Sequence, residues 1–338
     1  MHYHFATLFD HHYFSRAISL YQSLDNLKID FTFYAITITE ESAKLLTEYA
    51  KKNIIPISIN DIEQQFPELI EIKKTRIGVN YIFTLSPYYP LYILQRFTNI
   101  PHICSLDADQ YFFSSPEPIF NLLNLHSVLI TPHRFSTIQI AEGFEVNGKY
   151  NVSFQVFKND IIGNACLGLW RNQCSEWCED KAIEGKFADQ KYLESWESKF
   201  PHQIKIIDHI GLGLAPWNIQ HYLITQKQNT VYVNSYQLIL FHYQGLRILE
   251  NSIIKSGLNI YGARDTRTIR TKIYTPIVIA LMQRGNKQDK IKRGIHSTKL
   301  EPAYYQYKNG TLNALTLQYK FQQINLHFQS LLKKIKRV

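Results

Sequence analysis

The stretch HICSLDADQYFF sets Asp107 and Asp109 one residue apart at the end of an apolar run. In an extended segment residues i and i+2 point to the same side, so both carboxylates face one point while Ala108 turns away. Left alone, like charges so close raise each other's pKa and cost stability. A divalent cation removes that cost, and hard oxygen ligands with open positions suit Mn²⁺ or Mg²⁺, which complete their shell with substrate phosphates. Three later segments supply partners. YNVSFQVFKND places Asn151 and Ser153 on one face of a strand, where they could hydrogen-bond sugar hydroxyls. GKFADQKYLESW puts Asp189 and Gln190 at a helix start, an acceptor beside an amide that both donates and accepts. LILFHYQG ends an apolar strand on His242, a third ligand suited to Mn²⁺. Each has a plainer role open to it: Asn151 capping a turn, Asp189 capping its helix, His242 as a core histidine.

The elements that must hold these groups follow from hydrophobic rhythm. HYHFATLF, FTFYAIT and IIPISI read as strands alternating with the helices RAISLYQSL and EESAKLLTEYAKKN, which argues for a parallel α/β sheet. YPLYILQRF continues as a helix, and IPHICSLDAD arrives as a buried strand whose C-terminal end carries the carboxylates. Ligands of open α/β sheets bind outside those strand ends. SVLITPH and YNVSFQVFKN add two strands, and a long helix runs through ACLGLWRNQCSEWCEDKAIE. From about Gly245 the strand rhythm fades and the chain reads as helical and basic, giving a division into residues 1–245 and a helical extension, 246–338. No internal repeat or low-complexity linker interrupts it.

The 338 residues are 45% hydrophobic and 14% aromatic, with 22 Tyr and 20 Phe, side chains that suit sugar and nucleotide surfaces as well as a core. A formal charge of +9 favours anionic partners. With no RNA-recognition signature, helix-turn-helix pattern or arginine stripe, nucleic acid is not expected among them. Neither a signal-peptide pattern nor an 18-residue apolar run is present, so the expectation is a cytoplasmic protein without a transmembrane helix. Cys104, Cys166, Cys174 and Cys178 read as reduced, packed thiols, Cys174 and Cys178 as neighbours on one helix face.

The order D-A-D, N-x-S, A-D-Q-K-Y-L, P-W-N and F-H-Y-Q-G resembles the GT-A nucleotide-sugar glycosyltransferases, and is most similar to their glycogenin-like and bacterial lipopolysaccharide galactosyltransferase branch. The resemblance spans roughly residues 3 to 246 and implies a mixed, mostly parallel α/β sheet flanked by helices. It implies that Asp107 and Asp109 hold Mn²⁺ against a nucleotide diphosphate, with His242 the remaining ligand, and that Asp189 and Gln190 sit against the donor sugar with Asn151 nearby. Asp10, with Thr7 on the same edge, matches the base- and ribose-binding region. Two departures stand out: Ser153 replaces the usual glycine, and FHYQGLR lacks the Lys-Pro-Trp that helps bind phosphate, with Arg247 a substitute of different geometry. His209, in DHIGLGLAPWN, competes with His242 for the metal; the motif order favours His242.

The chemistry implied is transfer from a UDP-sugar to a glycan or lipid-linked acceptor, with retention of configuration. Two other classes fit parts of the pattern. A sugar-nucleotide nucleotidyltransferase shares the fold and paired acids, but FATLFDHHYFSRA lacks the glycines and lysine of its phosphate loop. A non-catalytic carbohydrate-binding protein explains the aromatics without the ordered acids and His242. The tail YKFQQINLHFQSLLKKIKRV has the spacing of an amphipathic helix with four basic residues at its end, which fits an anionic membrane surface at the inner face.

Overall fold

A computed structural model describes residues 1–249, 253–283, 304–308 and 311–314. Alternation of strand and helix runs as the hydrophobic pattern requires: β1 (Tyr3–Phe9), α1 (Phe14–Asn26), β2 (Phe31–Thr37), α2 (Glu40–Tyr49) and β3 (Ile54–Ser58). Two helix starts are written in the sequence. Thr39 accepts the Ser42 N–H and Ser58 that of Asn60, and in each case a side chain three residues on returns the bond. Four helices then follow in succession, α3 (Ile59–Gln65), α4 (Glu68–Thr75), α5 (Val79–Leu85) and α6 (Tyr88–Arg96). The chain re-enters the sheet as β4 (His102–Leu106), a strand buried at every position. After β5 (Gln110–Phe112) come β6 (Val128–Pro132), β7 (Tyr150–Lys158) and β8 (Ile204–Ile206).

These strands form a seven-stranded sheet in the order β3-β2-β1-β4-β7-β6-β8. β1 pairs parallel with β2 and β4, β2 with β3, and β6 with β8, while β7 runs antiparallel between β4 and β6. It is therefore a mixed, mostly parallel sheet with helices on both faces. α1 and α2 cover one face through Ile18, Leu24 and Leu46. α3–α6 and the helix Ile161–Glu176 cover the other through Leu69, Ile93 and Trp170. The chain winds outward from β1 through β2 to β3 and then crosses to β1's other edge, so the strand order reverses between β1 and β4. That crevice is where an open α/β sheet leaves room for a ligand.

Beyond the sheet, β9 (Ile224–Lys227), β10 (Thr230–Val233) and β11 (Tyr236–Gln237) make a small antiparallel layer, and β12 (Leu240–His242) returns to pair with β5. Past Gly245, where a helical extension is expected, the described residues combine helix with strands. The described residues there form a four-stranded antiparallel sheet, β13 (Arg247–Leu249), β14 (Ile253–Lys255), β15 (Tyr304–Lys308) and β16 (Thr311–Ala314), beside the helical stretch Ile269–Met282. The strands are only three to five residues long, and β14 reaches β15 across about 50 positions, so the sequence shows no sustained alternation. One core joins Leu214 and Phe241 to Ile254, Tyr274 and Tyr305 across position 245. All four cysteines are free and buried, but Cys178 is not on the helix with Cys174. That helix stops at Glu176, because Trp177 is extended.

Candidate functional site

At the reversal point, β1 delivers Asp10 and β4 delivers Asp107. β4 ends at Leu106, and Ala108 and Asp109 form a turn leading into β5, so the acid pair lies on a strand end and turn and not, as its spacing predicted, in one extended segment. Convergence comes from β12 instead. Its antiparallel register sets His242 opposite Gln110, and Tyr243 N–H donates to the Asp109 carbonyl at 2.9 Å. His242 Nε2 consequently stands 3.1 Å from Asp109 Oδ1 and 3.7 Å from Asp107 Oδ2. One ligand atom from each of Asp107, Asp109 and His242 lies within 4.8 Å of the others, the grouping among the described residues with metal-binding geometry. Two hard carboxylates and a borderline imidazole, converging from three chain segments with one side open to a cleft, fit a Mn²⁺ or Mg²⁺ ion. His209 is elsewhere, edge-on to Tyr236 at 4.9 Å.

The electrostatics of the triad reflect that crowding. Burial, helped by Asp109, raises the Asp107 pKa against the pull of His242. Burial also opposes ionisation of Asp109, but the His242 charge and hydrogen bond, with Arg16 behind, bring its pKa below the usual value. His242 is raised: burial works against its charge and the two carboxylates overcome it. The Nδ1 of His242 is buried without a hydrogen-bond partner, so Nε2 is the nitrogen committed to the acids. Trp217 packs edge-on against the ring at 5.2 Å.

Two chambers meet at the triad. The larger, about 720 Å³, has Asp10, Tyr13, Thr39, Ile82 and Phe83 on its walls, and the smaller, about 410 Å³, holds Asn151, Asp189, Gln190, His133 and Trp217. Asp107, His242 and Gln244 belong to both, as do Leu8 and the α5 residues Val79, Ile82 and Phe83. Asp10 accepts the Tyr13 N–H at 3.0 Å, closing the turn into α1. Thr7 is fully buried in β1 and Ser153 is 1% exposed in β7, so neither hydroxyl reaches a chamber wall. Ser153 contributes backbone instead: its carbonyl accepts the Asp107 N–H at 3.1 Å and its N–H donates to Asn151 Oδ1 at 2.9 Å. Arg247 is exposed at the start of β13 and does not line either chamber, although its charge reaches the Tyr13 hydroxyl.

Asp189 makes no N-cap hydrogen bond to the helical turn Gln190–Ser195 that follows it. Its carboxylate takes the Ser86 hydroxyl at 2.5 Å, and burial, with Asp107 adding repulsion, pushes its pKa to about 7. Trp170 Nε1 donates to its carbonyl at 2.8 Å, holding the backbone in place. Sequence reasoning missed Ser86, His133 and the α5 wall. His133 carried one usable signal, an isolated histidine at the end of an apolar strand like His242. Ser86 carried none, since its contact with Asp189 spans 103 positions.

No family model matches the chain. Two curated relatives from Bacillus subtilis (strain 168) are each 26% identical. The uncharacterized protein YfnD aligns over 284 residues, 82% of this chain and 88% of the relative, and the uncharacterized protein YfnF over 248 residues, 71% and 80%. Among solved structures, the chain is similar to the galactosyltransferase LgtC in complex with donor and acceptor sugar analogs, at TM-score 0.48 and 14% identity over 72% of this chain and 87% of that one. It is also similar to the glycosyltransferase GlyE of Streptococcus pneumoniae TIGR4 (0.46, 12%, 86% and 66%) and to mouse xyloside xylosyltransferase 1 (0.43, 12%, 72% and 98%).

Proposed function

We propose that the chain is a metal-dependent glycosyltransferase that moves a sugar from a nucleotide-diphosphate donor, a UDP-sugar, to a glycan or lipid-linked acceptor in bacterial surface polysaccharide or lipopolysaccharide synthesis. The observation that carries this reading is the Asp107–Asp109–His242 triad at the junction of two chambers of different character. The larger has an aromatic and apolar wall suited to a nucleoside; the smaller is lined by three acids, four amides and aromatic rings, the groups that bind sugars. A diphosphate between them would lie on the triad. An ion held there by Asp107, Asp109 and His242 supplies Lewis-acid stabilisation of charge developing on a leaving diphosphate.

The chain's own groups do the rest. Asp10 and Tyr13 close the nucleoside end. Asn151 and Gln190 orient the sugar, and Asp189 lies where positive charge at a reacting sugar carbon would be felt. We assign retention of configuration and take residues 1–245 as the transferase unit, with 246–338 as an extension. An exposed Arg247 adds attraction for the anionic donor. Incubation with UDP-glucose or UDP-galactose and Mn²⁺ should release UDP slowly, and EDTA or Asp109→Ala should abolish the release. A sugar-nucleotide nucleotidyltransferase would instead consume UTP and sugar phosphate, and a carbohydrate-binding protein would release nothing. Undiminished UDP release in EDTA would refute the metal-dependent reading.

A further inference from the structure

The polar groups of the smaller chamber have their hydrogen-bonding directions fixed by the fold. His133, just past β6, is 5% exposed, and its Nδ1 lies 2.8 Å from the Gly148 carbonyl. A carbonyl only accepts, so Nδ1 carries the proton and a neutral ring leaves Nε2 as a lone pair. That lone pair faces Asn151 Nδ2 at 3.2 Å. The other end of the same amide is also committed, because Asn151 Oδ1 accepts the Ser153 N–H at 2.9 Å. A flipped Asn151 would set oxygen against the Nε2 lone pair and NH₂ against a backbone N–H, losing both bonds. The ring itself has nowhere to turn. It stacks on Phe135 at 4.6 Å with 11° between planes and meets Trp217 edge-on at 5.5 Å, while the His133 backbone carbonyl is held by Trp217 Nε1 and Asn218 Nδ2, which donate to it.

We propose that His133 is a positioning residue: fixed as the neutral Nδ1–H tautomer, it orients the Asn151 amide so that Asn151 offers the chamber an N–H donor. The amide has two N–H groups, and His133 uses one, leaving the second for a ligand. Gln190 is committed in the opposite sense, its Nε2 donating to the Asn147 carbonyl, which leaves its Oε1 as the free group. Asp189 adds acceptors. The chamber therefore reads a sugar that accepts at Asn151 and donates at Gln190 and Asp189, which hydroxyl groups do and deoxy or fluoro positions cannot do in full. Burial that holds the His133 pKa down to about 3 keeps the lone pair available at any working pH. This inference rests on the transferase reading for its ligand, but not for its tautomer.

Two measurements test it. In protein labelled with ¹⁵N-histidine, the His133 signals, assigned by their loss in His133→Phe, should show a neutral ring protonated at Nδ1 between pH 8 and pH 5. An Nε2–H tautomer or a titration in that range overturns the lock. In the second, His133→Phe keeps the stacking but frees the Asn151 amide. It should lower kcat/KM for UDP-glucose and UDP-galactose hydrolysis about tenfold or more and leave the affinity for UDP with Mn²⁺ within about twofold. Equal loss of UDP affinity would make His133 a scaffold residue and sink the proposal. If the wild-type chain binds no UDP, the transferase reading falls and the tautomer measurement alone decides.

Discussion

Asp189 is the residue whose surroundings are hardest to reconcile with a purely structural role. A carboxyl 1% exposed, with Ser86 as its side-chain donor and a pKa of about 7, is protonated in the folded chain below that pH and ionised above it. The folded value stands above the unfolded value of 3.8, so the folded state binds the extra proton between those two pH values. The cost to stability is absent below about pH 4, grows as pH rises toward 7 and is complete above it. Asp189→Asn should therefore raise the unfolding temperature at pH 8 and leave it nearly unchanged at pH 4. The gain should be on the order of a few kcal/mol, since each unit of pKa corresponds to about 1.4 kcal/mol. The same variant should depress turnover of a UDP-sugar more than it raises KM, as expected of a group whose contact strengthens in the transition state. A variant with unchanged turnover and raised KM would make Asp189 a plain binding residue. Thermal scans at the two pH values, set beside the kinetics, separate folding cost from chemical use.

The elements decide which of these residues could be found from the sequence. β1, α1, β2, α2, β3 and β4 are read from local periodicity, and with them the strand end that carries Asp107. The partner of that end is not local: His242 reaches Asp109 only because β12 pairs with β5 across some 130 residues, and periodicity cannot express such pairing. Motif order suggested it, whereas chain geometry placed it. For Ser153 and Thr7, alternation along a strand named the face but not the depth. Both lie too deep in the sheet for their hydroxyls to reach the chambers. The same strands carry a second titratable feature at their opposite ends. His4 at the start of β1 and His102 at the start of β4 stand 5.6 Å apart, and burial, reinforced by charge repulsion from neighbouring histidines, lowers both pKa values from 6.5 to about 4. These values are depressed below the unfolded one, so the unfolded chain takes up the extra protons. Stability is full above about pH 6.5 and is lost as pH falls toward 4. His102→Phe should flatten that acid decline, read as a smaller drop in unfolding temperature between pH 7 and pH 5 than in the wild type. An equal drop in both would show that the pair does not govern it.

At the scale of the whole molecule, the extension beyond Gly245 is fastened to the body. Arg16 on α1 donates to the Leu246 carbonyl at 3.2 Å, and the Tyr243 hydroxyl to the Ile273 carbonyl at 2.6 Å. Among the described residues no helix is long and apolar enough to cross a membrane. The amphipathic tail expected from the sequence, with Tyr319, Phe321, Ile324, Phe328, Leu331, Leu332 and Ile335 at spacings near a helical turn and Lys333, Lys334, Lys336 and Arg337 at its end, lies outside the described residues. We propose that it rests on anionic lipid at the cytoplasmic face and so brings the cleft to a lipid-linked acceptor. Each basic residue near such a surface is worth about 1 kcal/mol, which makes four of them a reversible anchor that salt should weaken. The full chain should sediment with vesicles containing phosphatidylglycerol at low salt and release at about 0.5 M salt, where the screening length shrinks to a few ångströms. A chain lacking residues 331–338 should bind markedly less while keeping its rate of UDP release with a soluble acceptor or water. If the two chains sediment equally, or if neither binds at low salt, the tail is not the anchor, and the lipid-linked acceptor loses its physical support.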